Sequence, residues 1–530
     1  YMQHERGLDL AGLRGAYAQE SYRDREGNST ATIRFQLANG ASWWERLIDR
    51  PGRFDKKARF KFGGGWGGHC WTHPDDSFEE LANCAEIWIA EGIFDALALR
   101  QNFRRLNKGG KRRRTAVSNM SVGPYPEHFL ARLGEALGAS RQRPAIVFAF
   151  DVGAAGVSST RKHVRRAREE GWQATAAQVR PDGEGNKLDW NDLHLRQLDW
   201  NGKAERGPMG EDAIEDYRFN GEITICDSFY EKAKLIHERR AWRSFYFRHD
   251  RRIYWAKARR SDDEESEGSG LTVEEIANCD FRILYRERDE ELDETDYFIE
   301  VRFPGRQPTA KARFSSSCCA ASGEFKKRLF AFSGMWFGNS EQLDRLMRDQ
   351  TRELKTVEPL HFTGYSPAHR AYVLGDIAIR DGRVLELNAD RYFDFGRSAL
   401  KLRTEQRLLD IDWDGDKVGF DWFADIHAAW GARGVLALAF FTMSLFAVQI
   451  RELHSSLGFL EIYGEPGAGK STLVEFLWKL CGRNDYEGFD PNKATGPGIA
   501  RTFQQVSNLP VGLIESGRDP EKASHHRQFD

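Results

Sequence analysis

Between residues 84 and 180, short apolar runs alternate with helical stretches, and no other feature of the chain narrows its fold as far. Glu86-Ile-Trp-Ile-Ala90 reads as a buried strand and Ile93 to Leu106 as a helix. Thr115-Ala-Val-Ser118 is a second strand, followed from Pro126 to Leu137 by a helix with proline in its first turn. Ala145-Ile-Val-Phe-Ala-Phe150, Val157 to Glu170 and Ala174 to Val179 continue the alternation as strand, helix and strand. Strands interleaved with helices predict an α/β domain: a mostly parallel sheet with helices on its faces.

The 530 residues leave room for three or four domains. Residues 1–83 are β-rich, with Thr30 to Leu37 as a strand and Gly63 to Gly68 as a glycine-rich turn. Residues 84–200 hold the alternating region, and the polar stretch 201–215 reads as a linker. Residues 216–425 read as a mixed α+β region of unassigned role, with an acidic loop at Asp262 to Glu267. The last part, 426–530, opens on the apolar run Val435 to Val448. That run falls short of the roughly 20 residues a membrane span needs, so a buried helix and no membrane are expected.

Lysine plus arginine number 78 against 80 acids, a net charge of −2, which excludes a uniformly basic surface and leaves any DNA contact to local patches. Seven scattered cysteines give no disulfide framework, and no basic-then-apolar leader opens the chain. A cytoplasmic protein is expected. Tyr1 standing before Met2 suggests a piece of a longer protein.

Gly464-Glu465-Pro466-Gly467-Ala468-Gly469-Lys470-Ser471 satisfies G-x-x-x-x-G-K-[ST] at every fixed position, with Thr472 behind it. Such glycines let successive N–H groups turn inward onto phosphate oxygens, the lysine adds a point charge, and the serine hydroxyl is a Mg²⁺ ligand. The apolar run Leu457 to Tyr463 is expected as the strand before the loop, and a helix from Ser471 to Leu480 as the element after it. ATP is the expected cofactor. A second strand, Leu509 to Ile514, leads to Glu515, expected either to hold the metal's water or to polarise the attacking one. With 60 residues after Lys470, this domain is expected to be incomplete.

Three acidic elements stand where strands of the first half end. They are Glu91-Gly92 with Asp95, then Asp151 followed by Ala155-Gly156, and Asp189-Trp190-Asn191-Asp192. Hard divalent cations take oxygen ligands of this kind. The three elements together resemble the TOPRIM domain of phage and mobile-element primases, over roughly residues 84 to 200. The resemblance implies a Rossmann-like parallel sheet, with Glu91 and Asp151 as catalytic metal ligands and Asp189 and Asp192 as further ones. It also implies Mg²⁺ and nucleotide polymerisation on a DNA template. One departure is plain: Gly153 stands where the second acid of a D-x-D pair belongs.

Basic residues flank these acids. Arg112, Arg113 and Arg114 form one cluster, and Arg161, Lys162 and Arg165 another, both expected along a nucleic-acid track. His69, Cys70, His73 and Cys84 are weighed as a zinc site, although their spacing is not that of paired C-x₂-C knuckles. The reading that unites these features is a primase-helicase of a phage or mobile element. It would act on single-stranded or forked DNA with ribonucleotides, as a homo-oligomeric ring. The alternatives are a TOPRIM nuclease coupled to an ATPase, and a non-catalytic replication initiator or loader. Gly153 is the best support for the loader.

Overall fold

The computed structural model describes residues 1–37, 42–49, 52, 54–107, 113–137, 142–180, 187–196, 210–258, 270–404, 408–411, 419–484, 486, 488–491 and 494–514. The chain divides into two compact units, Tyr1–Arg243 with Ala258–Leu271, and Ser244–Lys257 with Thr272–Asp530.

The first unit opens with a four-stranded antiparallel sheet of β1 (Ala18–Arg23), β2 (Ser29–Leu37), β3 (Ser42–Leu47) and β4 (Ala58–Phe60), paired in that order. Along β2 the buried and partly buried residues alternate, which puts Ile33, Phe35 and Leu37 on one face. That face closes on the second half of the unit, where Phe35 meets Trp71 edge-on at 5.7 Å and Phe94 at 5.9 Å. A short helix α1 (Phe78–Ala82) follows, capped by Ser77 and Glu80 in a reciprocal box.

The predicted parallel sheet is present. Its strands are β5 (Glu86–Ala90), β6 (Arg114–Ser118), β7 (Ala145–Ala149) and β8 (Ala174–Ala176), in the spatial order β6-β5-β7-β8 and all parallel. The connecting helices are α2 (Ile93–Leu106), α3 (Glu127–Leu137) and α4 (Ala154–Glu169). Every residue of β5 and of β6 is buried, as a sheet covered on both faces requires. From β5 the chain crosses to one side, to β6, and from β7 it crosses to the other, to β8. The sheet therefore switches direction between β5 and β7, and the crevice outside their carboxyl ends is where such sheets hold ligands.

Two further helices complete the unit, α5 (Trp190–Arg196) and α6 (Glu211–Ile225). Residues 201–209 of the expected linker lie outside the described residues. Its last part is helical: Gly210 caps α6, which packs back on β8 and sends Arg218 to Glu86 at 2.9 Å.

The second unit is mixed α+β. A six-stranded sheet runs in the order Ala310–Ser315, Glu294–Arg302, Asp280–Asp289, Thr356–Leu360, Ala399–Leu402 and Phe393–Asp394. Phe281, Phe325 and Trp336 pack together on it. The apolar run at 435–448 departs from expectation. It lies mostly in a longer helix, Trp422–Ser444, of a length and composition sufficient to cross a membrane, and this helix is mostly exposed rather than buried, with Leu436 at 64%. Ala437 and Phe441 pack against Leu473, Leu477 and Trp478, and Ile426 is buried as well. Gly431, at φ 60° and ψ −150°, interrupts the helix. The uninterrupted part after it spans about 20 Å, short of a bilayer's hydrocarbon core of about 30 Å.

The strand expected at Leu457 to Tyr463 is also absent. Among the described residues this segment is paired with no strand, and Phe459 and Tyr463 are almost fully exposed. An apolar run becomes a strand only when a neighbour supplies the ladder, and no described segment lies alongside. Leu509 to Ile514 contributes a single bridge, Phe489 to Leu513.

Candidate functional site

Register brings the acids together. Ala90 of β5 pairs with Ala149 of β7, so Glu91 and Asp151 leave adjacent strands at nearly the same level, on the switch-point crevice. Helix α5 is pinned above them, because Trp190 donates its indole N–H to Ala149 O at 2.9 Å. Asp189 and Asp192 hold the start of α5 reciprocally: Asp192 N–H donates to Asp189 Oδ1 at 2.6 Å and Asp189 N–H to Asp192 Oδ2 at 3.1 Å.

Asp95 is buried on the first turn of α2 and accepts the backbone N–H of Asn191 at 3.0 Å. Glycine at 92 is what admits it, since a Cβ there would lie 2.7 Å from Asp95 Oδ2. Gly156 similarly lets α4 turn tightly over Asp151, whose carbonyl oxygen would be 2.2 Å from a Cβ at 156.

The four carboxyls crowd one another. Burial pushes the Asp151 carboxyl up to about 7, helped by the charges of Glu91, Asp189 and Asp192 and opposed by Lys187. Glu91 and Asp189 are raised as well, burial leading in both. Asp95 is raised well above the ordinary carboxylate range, by burial first and then by Asp189 and Asp151. Asp151 Oδ1 is buried without a hydrogen-bond partner.

Among the described residues no three acidic, histidine or cysteine side chains already converge as a closed metal cage. Mg²⁺ does not ask for one, because it keeps most of its water and binds through one or two carboxylates plus phosphates. A set of mutually repelling carboxyls with an orphaned oxygen fits that ion, and Glu91 and Asp151 are the residues that could hold it.

The N-terminal segment, which sequence reasoning did not connect to the site, supports it from outside. Arg6 lies 4.6 Å over the ring of Phe94, donates to Asn191 Oδ1 at 3.0 Å, and accepts Asn191 Nδ2–H on its carbonyl at 2.9 Å. Its charge draws the Asp189 carboxyl down, together with the backbone N–H groups of Asp192 and Asn191, against burial and the charge of Asp192.

The basic clusters are partly committed to protein partners. Arg114 is buried and paired with Glu86 at 3.2 Å and Glu211 at 2.6 Å, because β6 places it beside the first residue of β5. Arg113 is exposed, and Arg112 lies outside the described residues. On α4, Lys162 is exposed, Arg161 donates to Thr224 O at 2.8 Å, and Arg165 pairs with Asp227 at 2.8 Å.

A different surface mixes charge with aromatic rings. Trp43 has the guanidiniums of Arg34 at 4.2 Å and Arg59 at 5.3 Å, Arg59 also lies 4.0 Å over Tyr22, and Phe62 beyond β4 is wholly exposed. The alternation in Lys56-Lys57-Ala58-Arg59-Phe60-Lys61-Phe62 was its signal in the sequence.

The zinc reading fails. Both nitrogens of buried His73 are engaged, with Gly12 O at 3.1 Å and Asp75 N–H at 3.2 Å, and His69 stacks on His128. The Cys84 thiol bonds to Glu80 O and is pushed by burial up to about 11, while Cys70 turns to Asn119. Four side chains committed elsewhere do not make a ligand set.

At the phosphate loop, residues 464–469 turn into the helix Lys470–Leu480, whose N-cap Gly469 has φ 75°. Lys470 Nζ donates to Gly464 O at 2.8 Å and Glu465 O at 2.7 Å, so its ammonium already lies over the loop. Ser471 and Thr472 are exposed on the helix's first turn. Glu515 lies outside the described residues.

A Toprim-like family model matches residues 88–194. The similarity is confined to this segment. The matched span contains Glu91, Asp95, Asp151, Asp189 and Asp192, and its sheet is the parallel one described above. Among solved structures, the RNA polymerase domain of the Mycobacterium tuberculosis primase DnaG is 16% identical, over 45% of this chain and 89% of that one, with a TM-score of 0.26. The same domain in complex with double-stranded DNA is 16% identical over 44% and 70%, with a TM-score of 0.27. The Aquifex aeolicus primase, with its zinc-binding and RNA polymerase domains, is 15% identical over 45% and 66%, with a TM-score of 0.23. No curated protein sequence matches the chain.

Proposed function

We propose that this chain is a primase-type nucleotidyltransferase joined to a P-loop ATPase. The observation that carries the reading is the gathering of Glu91, Asp95, Asp151 and Asp189 at the switch point of a Toprim-like parallel sheet, with Asp151 Oδ1 left unbonded. Glu91 and Asp151 would hold Mg²⁺, which when bound neutralises phosphate charge as a nucleotide joins a primer end. Asp95 and Asn191 fix the α5 start that carries Asp189 and Asp192. The template would be a single strand, and the exposed Phe62 with exposed Lys57 at the other end of the same short run suits one, because rings stack on bases while cations meet phosphates.

The intact G-x-x-x-x-G-K-S motif and the position of Lys470 support ATP binding. Helicase action, a homo-oligomeric ring, a phage or mobile-element origin and a cytoplasmic setting belong to the same proposal. Synthesis of short labelled ribonucleotide products on single-stranded DNA with Mg²⁺ tests it. Products that vanish in Glu91→Gln are expected. Degradation of the DNA instead would transfer the reading to a nuclease, and neither activity would leave the loader.

A further inference from the structure

Gly153 is not a glycine that its backbone demands. It caps α4 at φ −138° and ψ 163°, extended geometry open to any residue. A side chain there would find room, with one group in reach: a Cβ at 153 would lie 3.8 Å from Lys187 Nζ, and no other described atom outside its adjoining residues comes within 4 Å. Lys187 is exposed, stands two residues before Asp189, and its charge acts on Asp151 against those of Glu91, Asp189 and Asp192. An acid is missing at one point of the cluster, and a cation reaches the space it leaves.

We propose that Lys187 takes the place of a second cation, its ammonium binding phosphate oxygens of the incoming nucleoside triphosphate over Gly153. A second divalent ion would need a second acid beside Asp151, and glycine supplies none. An ammonium needs no such ligand and brings one compact charge with three donors. With glycine at 153 the ammonium has no carboxylate to pair with there and stays available to phosphate. The inference rests on the nucleotidyltransferase reading of this site.

The test uses the full chain carrying Lys470→Ala, so that the phosphate loop does not take up the probe, with Mg²⁺ alone and then GTP with Mg²⁺ titrated by calorimetry. Lys187→Met is expected to weaken GTP about 10- to 100-fold, the range for a charge-assisted hydrogen bond. Lys187→Arg should retain most of the binding, and Mg²⁺ alone should bind no more weakly in either variant. Gly153→Asp alone should leave one Mg²⁺ per chain, since the new carboxylate pairs with Lys187. Gly153→Asp combined with Lys187→Met should bind two. GTP affinity unchanged in Lys187→Met, or a second Mg²⁺ in Gly153→Asp alone, overturns the proposal. GTP binding that depends on Lys187 in a chain that makes no primer would keep this assignment and defeat the primase reading.

Discussion

The carboxylate edge and the phosphate loop are both announced by short motifs, yet the chain builds them in opposite ways. The carboxylate edge draws on positions 6, 91, 95, 151, 187 and 189, brought together by strand register, by the Trp190 indole and by Asn191. The phosphate loop is eight consecutive residues, its lysine bonds to carbonyls five and six positions back, and one distant side chain reaches it, Trp430 donating to Gly469 O at 3.3 Å. A site assembled from afar shares the fold's stability and its pH dependence more fully than a site written mostly into one loop and one helix start. The difference can be broken or sharpened by substitutions on each side.

The largest effect is expected at the loop. Lys470→Ala should reduce ATP hydrolysis to background while leaving unfolding free energy within about 0.5 kcal/mol, because it removes a phosphate charge and no core contact. Steady-state phosphate release and urea unfolding measure the two. A destabilised variant would show that the loop is tied into the fold after all.

On the other side, Arg114→Gln should destabilise the first unit by about 3 kcal/mol, since it leaves Glu86 buried with one cation fewer. Its exposed neighbour should behave differently, with Arg113→Gln changing stability by less than about 0.5 kcal/mol. ATP hydrolysis should be untouched by both. Strand β5 thus has a structural end at Glu86 and leads at its other end to the candidate metal ligand Glu91.

Asp151 joins chemistry to stability. Its carboxyl, at about 7 in the fold, holds a proton that the unfolded chain releases near 3.8. The stability linked to it is therefore full below about pH 4, falls as pH rises through 7, and stays lost above. Between pH 5 and 8 the apo first unit should lose about 2–3 kcal/mol on this account. Mg²⁺ should restore part of it by binding only the folded form. Asp151→Asn should flatten the profile and remove primer synthesis by at least about 100-fold. Urea unfolding of the whole chain, followed at both pH values with and without Mg²⁺, decides the first two.

The sequence reveals what neighbours along the chain decide. The strand–helix alternation of β5 to β8 and the acids at strand ends each depend on a few consecutive residues, and each was legible. Contacts between distant positions were not. Arg114 reads as one more charge in a basic run until β6 places it beside Glu86. Arg6 reads as an ordinary N-terminal charge until it meets Asn191, 185 positions away. The run at 457–463 shows the same limit in reverse. Its composition suits a strand, but pairing is not a property of the run itself. Gly153 was visible as a missing acid, whereas the nearness of Lys187 required the turn into α4 and the chain before α5 to be placed.

The smallest effect is expected at Phe62, and it bears on which region carries the DNA. Phe62 is fully exposed at the end of a basic-aromatic run, a placement with no packing role. If a base stacks on it, Phe62→Ala should cost about 1 kcal/mol of single-strand affinity, the low end for one stacked base. No phosphate contact is lost, so the salt dependence should keep its slope. Lys57→Gln should do the reverse, lowering the slope by about 0.7 with little effect at high salt. Neither change should alter ATP hydrolysis measured without DNA, because both lie in the unit that holds the carboxylates. Fluorescence anisotropy of a labelled oligonucleotide at several salt concentrations separates the two signatures. Unchanged affinity in both variants would move the strand away from β4, to Lys162 on α4 or to the second unit.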